Sequence, residues 1–150
     1  MNPILTELDS KGFYFTHDLT LNDFIFEMLK LGNPLETSLV GVFKNTGRGS
    51  STSMELDWHQ DGAYSKRKAE ENGQSFDLWP DYIGLYCLKE SLQTVTSIKN
   101  LDLTIQKDLI LTNNSCLILD NNKFLHKRNS VIDFDRLLFR IWIRKHANPI

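Results

Sequence analysis

The chain has 150 residues, with 17 Lys and Arg against 19 Asp and Glu for a formal net charge of −2, so it lacks the broad cationic field that nucleic-acid binding draws on. Hydrophobic residues at 41% and aromatics at 11% are globular values, and the length suits one domain over residues 1–150 with no room for a second. The opening Met1-Asn2-Pro3-Ile4-Leu5 has no basic region before an apolar stretch, and no apolar run approaches the roughly 20 residues of a membrane span; the expectation is a soluble, cytoplasmic protein with neither a nucleic-acid nor a membrane partner.

In chain order, a helical turn is expected over residues 3–10 and a short strand over residues 12–16. Residues 20–32 predict an amphipathic helix, with Thr20 or Asn22 as cap, Phe24, Met28 and Leu31 on one face, and Gly32 as the stop. Strands are then expected over 38–44, 53–58, 81–89, 94–98, 109–112, 115–119 and 134–144, with turns at 45–50, 113–114 and 120–122. The polar stretch 65–75 reads as a mobile surface loop. Cys87 and Cys116 each lie inside apolar runs, where a thiol behaves as a small buried hydrophobe, so no disulfide framework is expected. One helical N-terminal segment followed by about seven short strands suits a mainly β jelly-roll, or another sandwich, with helices packed on the outside.

The four histidines differ in their company. His17 and His146 have no acidic or histidine partner at ligand spacing and read as surface residues. In Leu56-Asp-Trp-His-Gln-Asp-Gly62, His59 and Asp61 are two apart, so an extended backbone points both side chains to one side, where they can seat a metal ion. His-x-Asp alone is a common pair, and a third ligand is required: two histidines and one carboxylate on one face of an octahedron leave three positions open for non-haem Fe(II) chemistry. His126 is the candidate, with a histidine hydrogen-bonded at a strand end as its plainer reading.

Downstream, strand alternation sorts Asp135, Leu137, Phe139, Ile141 and Ile143 onto one face and Phe134, Arg136, Leu138, Arg140, Trp142 and Arg144 onto the other. A solvated face would explain the arginines. Aromatic residues among them suggest instead a strand buried on both sides, and a buried guanidinium needs an anion, for which a bidentate carboxylate is the natural partner.

The order Leu31-Gly-Asn-Pro34, Trp58-His-Gln-Asp-Gly62, Leu85-Tyr-Cys-Leu-Lys89, Leu119-Asp-Asn-Asn-Lys-Phe-Leu-His-Lys-Arg128 and Asp135-Arg-Leu-Leu-Phe-Arg140 resembles the Fe(II)- and 2-oxoglutarate-dependent oxygenases of the taurine dioxygenase, γ-butyrobetaine hydroxylase and clavaminate synthase group. The resemblance implies a double-stranded β-helix and assigns roles by position. His59, Asp61 and His126 are the implied iron ligands. Arg136, ten residues after His126, is the implied clamp on the far carboxylate of 2-oxoglutarate, and Arg140 corresponds to a position that contacts a substrate acid group or the near end of the cosubstrate. A threonine between the ligand blocks is implied beside the same far carboxylate, with Thr94 preferred and Thr96 next to it. Only 126 − 94 = 32 positions separate Thr94 from His126, which leaves out the long insert that relatives carry there, and with it the lid. Lys127 and Asn122 stand where the family usually has Gly and Arg.

The implied activity uses Fe(II), 2-oxoglutarate and O2 to hydroxylate an unactivated C–H bond of a small anionic or zwitterionic substrate, such as an amino acid. Related halogenases lack the carboxylate ligand, so Asp61 argues for hydroxylation. The alternative is a non-catalytic binding module on a trimmed β-helix; a zinc-dependent hydrolase or structural zinc site is a third reading. A core with few covering inserts favours a homodimer.

Overall fold

Helix α1 (Pro3–Lys11) starts where the Asn2 side chain accepts the Ile4 and Leu5 amides, with a proline in the first turn, and stops at Gly12 in the left-handed region at φ 86°. Only glycine suits that stop, since a Cβ on Gly12 would lie 2.6 Å from the Phe124 ring. Helix α2 (Leu21–Leu31) takes Thr20 as its cap, with the hydroxyl accepting the Asp23 amide, and buries Phe24, Met28 and Leu31, the face its spacing predicts.

The computed structural model describes residues 2–41, 56–62, 68–71, 74–77, 79–129 and 136–145. Among these, the strands are β1 (Phe13–Thr16), β2 (Gly32–Gly41), β3 (Leu56–His59), β4 (Lys68–Glu71), β5 (Gln74–Asp77), β6 (Tyr82–Lys89), β7 (Thr96–Asn100), β8 (Gln106–Leu109), β9 (Cys116–Asp120), β10 (Phe124–Arg128) and β11 (Leu137–Lys145). They form a five-stranded sheet in the order β1-β9-β6-β11-β2, a four-stranded sheet in the order β3-β10-β7-β8 and the hairpin β4-β5. Every pairing is antiparallel. This is the mainly β, double-stranded β-helix (jelly-roll) architecture with the helices on the outside.

The five-stranded sheet is apolar on both faces because it is covered on both. Along β6, Tyr82 and Tyr86 join Phe24, Met28 and Leu31 beneath the helices, while Ile83, Leu85 and Cys87 turn into the sandwich. Strand β11 divides the same way, with Ile141 and Ile143 under the helices and Leu138 and Trp142 inside. The arginine-bearing face of β11 is thus the inward face. Among the described residues, no helix is long and apolar enough to cross a membrane.

Several elements differ from the sequence reading. The expected loop at 65–75 contains β4 and the start of β5, paired with Lys68 opposite Asp77 and Glu70 opposite Ser75; residues 72–73 are Asn-Gly in the sequence, a strong two-residue hairpin signal. The strand expected at 109–112 lies earlier, as β8. Its partner β7 begins at Thr96, opposite Leu109, so residues 110–112 have no strand to pair with among the described residues. Residues 42–44, 53–55 and 134–135 of the expected strands, the turn at 45–50 and His146 lie outside the described residues. His17 is exposed, with Nδ1 3.4 Å from the Thr112 hydroxyl, as a surface histidine should be.

Candidate metal centre

Strands β3 and β10 bring two histidines face to face, for His59 and His126 are directly opposite in the antiparallel register. Their ring centroids are 4.2 Å apart, at an interplanar angle of 52°. The chain then leaves the strand at His59, and Asp61 lies in a turn rather than on a continued extended segment. The two side chains converge all the same, because the turn is held from outside.

That hold is Asn121, fully buried in the β9–β10 connection. Its Oδ1 accepts the Asp61 amide at 3.1 Å, and its Nδ2 donates to the carbonyls of Asp61 and Pro80, each at 3.0 Å. Gln60 Nε2 donates to the Asn121 carbonyl at 2.7 Å. One amide therefore ties the turn bearing Asp61 to the connection that leads into His126. In the sequence Asn121 is only the middle of a polar turn; nothing in that pattern separates a linchpin from a solvated turn residue.

The three side chains present a coherent donor set. Asp61 Oδ1 is 3.5 Å from His59 Nε2 and 3.2 Å from His126 Nε2, and the ligand atoms of the trio all lie within 4.8 Å of one another. Neighbouring ligands on an octahedron with bonds of about 2.1 Å stand about 3.0 Å apart, so the two Asp61–histidine distances are near those a first-row divalent ion would set. His59 Nδ1 lies 2.6 Å from the Asp57 carbonyl. A carbonyl can only accept, so Nδ1 carries a proton, and loss of the Nε2 proton leaves a lone pair directed toward the centre. His126 Nδ1 is buried and has no partner among the described residues.

The electrostatics favour the ionised carboxylate. Burial alone would raise the Asp61 pKa, but hydrogen bonds from His126 and His59, with the charges of His126 and Arg140, hold it well below the usual carboxylate value. Burial would lower the His59 pKa; its hydrogen bonds to Asp61 and the Asp57 carbonyl, with the Asp61 charge, leave it raised. The second carboxylate oxygen, Oδ2, accepts the indole N–H of Trp142 at 2.9 Å and lies 3.5 Å from Arg140 NH1. Arg140 therefore sits against the Asp61 carboxylate, at the candidate centre itself.

Arg136 is on the same inward side, four residues before Arg140, so their Cα atoms are about 13 Å apart along an extended chain. It is buried and donates from NH2 to the Thr96 hydroxyl at 3.0 Å. The Thr94 hydroxyl instead donates to Ser91 at 3.1 Å, and the Thr94 amide bonds the Ser91 carbonyl. The threonine beside Arg136 is thus Thr96 and not the preferred Thr94, because 91–94 is a turn and β7 starts only at Thr96. Burial, followed by the nearby Arg128 charge, pushes the Arg136 pKa from 12.5 down to about 10. Arg128 lies on β10 opposite Thr96 and is also buried. Trp142, Asn121 and Arg128 are the residues around the centre that the sequence reading gave no role.

No protein-family model matches the chain, and no curated protein matches it in sequence. Among solved structures, it superposes on an asparagine oxygenase in complex with Fe(II), 3-hydroxyasparagine and succinate, with a TM-score of 0.67, 11% identity, and coverage of 93% of this chain and 77% of the other. A similar match is the non-heme iron oxygenase OrfP in complex with Fe, succinate and (3S)-hydroxy-L-Arg, with a TM-score of 0.67, 13% identity, and coverage of 93% and 78%. Against another asparagine oxygenase structure the TM-score is 0.63 at 13% identity, and the chain spans 62% of that protein's length. At these identities the likeness is one of fold.

Proposed function

We propose that the chain is a 2-oxoglutarate-dependent dioxygenase that holds Fe(II) on His59, Asp61 and His126 and hydroxylates an unactivated C–H bond of a small, amino acid-like substrate. The observation that carries this reading is the convergence of two imidazole Nε2 atoms on one carboxylate oxygen, beside an inward strand whose buried Arg136 meets a threonine hydroxyl. The shared fold with oxygenases solved with iron and with succinate or 2-oxoglutarate supports it. When bound, Fe(II) supplies the activation of O2 against 2-oxoglutarate, coupling loss of CO2 from the keto acid to oxidation of a C–H bond.

The remaining work belongs to side chains. Arg136 pairs with the far carboxylate of 2-oxoglutarate, which supplies the anion that its buried guanidinium lacks among the described residues. The Thr96 hydroxyl accepts from Arg136 and keeps its own proton to donate to the same carboxylate. Arg140 adds positive charge that keeps Asp61 ionised and, on the same strand face, offers a guanidinium to a substrate acid group. His59 gives up its Nε2 proton before it can ligate, while its Nδ1 proton stays on the Asp57 carbonyl. Amino-acid substrates are favoured because the solved neighbours hold hydroxyasparagine and hydroxyarginine.

The test is succinate formation from 2-oxoglutarate with Fe(II) and ascorbate under air, across a panel of amino acids and small carboxylates. Wild type should turn over and His59→Ala should not. Equal, background-level succinate from both would leave a ligand-binding module on a trimmed β-helix as the better account.

A further inference from the structure

We infer that Trp142 is a positioning residue for this centre, its indole N–H locking Asp61 into one-oxygen coordination and so keeping open a position that a two-oxygen carboxylate would occupy. The inference rests on the metal reading proposed above. It is carried by the division of the Asp61 carboxylate: Oδ1 faces both imidazoles, whereas Oδ2 receives the Trp142 N–H at 2.9 Å.

Trp142 is 4% exposed. An indole nitrogen only donates, and a buried donor without an acceptor is costly, so its single hydrogen must be spent on a specific partner. Its place on β11 is fixed on both sides, opposite Ile83 of β6 and Glu36 of β2, with the register to β2 shifting immediately after it. The donor is thus borne by an interior strand of the five-stranded sheet, held between β6 and β2. Arg140 is the less directional neighbour, 3.5 Å from the same oxygen and with its guanidinium 5.1 Å from the Trp142 ring centroid. Arg140 contributes charge and Trp142 contributes direction.

The direction matters because of the coordination number. Two histidines and a carboxylate bound through one oxygen leave three of six octahedral positions. A keto acid chelating through two atoms then leaves one for O2, whereas a carboxylate bound through both oxygens leaves none. A neutral donor suits this task, because it occupies Oδ2 without cancelling the charge that makes Oδ1 a good ligand.

The experiment compares wild type and Trp142→Phe, which keeps most of the ring volume and removes the N–H, using Co(II) as an oxygen-inert probe. The expected result is a 10- to 100-fold loss of Co(II) affinity, a change in the visible ligand-field spectrum of the bound ion toward higher coordination, and weaker 2-oxoglutarate binding to the Co(II) form. The metal-free protein should melt several degrees lower, from the lost buried hydrogen bond and the smaller ring; the spectral change and the weaker 2-oxoglutarate binding are the readouts that a purely structural role would not move. Wild-type affinity and spectrum in Trp142→Phe overturn the inference and leave the metal reading intact; a wild-type protein that binds no Co(II) overturns both. If Trp142→Phe does not fold, the indole signal decides. In a Trp58→Phe, Trp79→Phe background, the remaining indole N–H should resist solvent exchange and shift on Zn(II) addition, with no shift once His126→Ala is added. An indole resonance indifferent to Zn(II) overturns the inference.

Discussion

Replacing Arg136 by methionine should stabilise the empty protein and cripple its response to 2-oxoglutarate. Arg136 is 6% exposed, with no carboxylate beside it among the described residues and with Arg128 adding like charge. A pKa lowered from 12.5 to about 10 corresponds to roughly 3 kcal/mol by which the fold disfavours the charge, at about 1.4 kcal/mol per pH unit. Methionine removes that penalty at similar length, while the lost bond to Thr96 gives back about 1 kcal/mol. The net expectation is a gain of about 1–2 kcal/mol, or a rise of about 3–6 °C in Tm for a domain of this size. With 2-oxoglutarate and Co(II) the order should reverse. A buried carboxylate left without its counter-ion costs about 3–5 kcal/mol, so affinity should fall at least a hundredfold. Urea and thermal unfolding of the metal-free protein, repeated with Co(II) and 2-oxoglutarate, read both halves. A variant that melts several degrees lower when empty, or that keeps the full stabilisation by 2-oxoglutarate, would show that Arg136 is a structural cation already paired within the fold.

Asn121→Ala should lower stability by about 3–5 kcal/mol in urea unfolding, since it strips partners from the Asp61 amide and from the Asp61 and Pro80 carbonyls at a buried site; a loss under about 1 kcal/mol would contradict its linchpin role. Metal affinity should weaken as pH falls, because the raised His59 pKa means that a proton must leave before the ion binds; isothermal titration in buffers of different ionisation enthalpy should detect that proton, and an affinity constant from about pH 5 to 8 would oppose it. Both thiols are pushed up by burial, Cys87 to about 11 and Cys116 to about 12 from 9.0. The stability they contribute is complete below pH 9 and is lost as pH rises toward those values, at about 1.4 kcal/mol per pH unit for each thiol; a flat unfolding free energy between about pH 8.5 and 10.5, under reducing conditions, would show that they are not protected.

The fold was legible where burial imposes a period. Helix α2 announces itself by Phe24, Met28 and Leu31 because one face meets the sheet, and β11 by strict alternation because each of its faces meets a different layer. The misreadings fall where pairing, not burial, decides. Residues 109–112 are as apolar as a strand needs, yet hydrogen bonding stops at Leu109 because β7 supplies no further backbone beyond Thr96. Residues 65–75 look like solvated loop by composition, yet 68–71 pair with 74–77, and the Asn-Gly of the sequence between them is a turn signal that the polarity around it hides.

The centre divides along the same line. Residues that bear ligand chemistry can be proposed from type and order alone, because few side chains bind metals, whereas the register that sets His59 opposite His126 is a long-range pairing of β3 with β10. Asp61 converges for a reason that spacing does not contain, since the strand ends before it and the buried amide of Asn121, sixty positions downstream, sets its direction. Trp142 reads in sequence as one more core aromatic, and its polar edge acquires meaning only when β11 is laid inside the sandwich against the Asp61 turn. The same placement turns an Arg-x-x-x-Arg pattern into two different environments, Arg136 against a hydroxyl and Arg140 against the Asp61 carboxylate. Among the described residues Trp142 and Arg140 both meet the Asp61 carboxylate, whereas the buried Arg136 meets a hydroxyl and no carboxylate, which leaves its guanidinium with donor capacity to spare. That surplus is what makes a carboxylate-bearing ligand stabilising here, and it ties the ligand's affinity to the stability of the protein that waits for it.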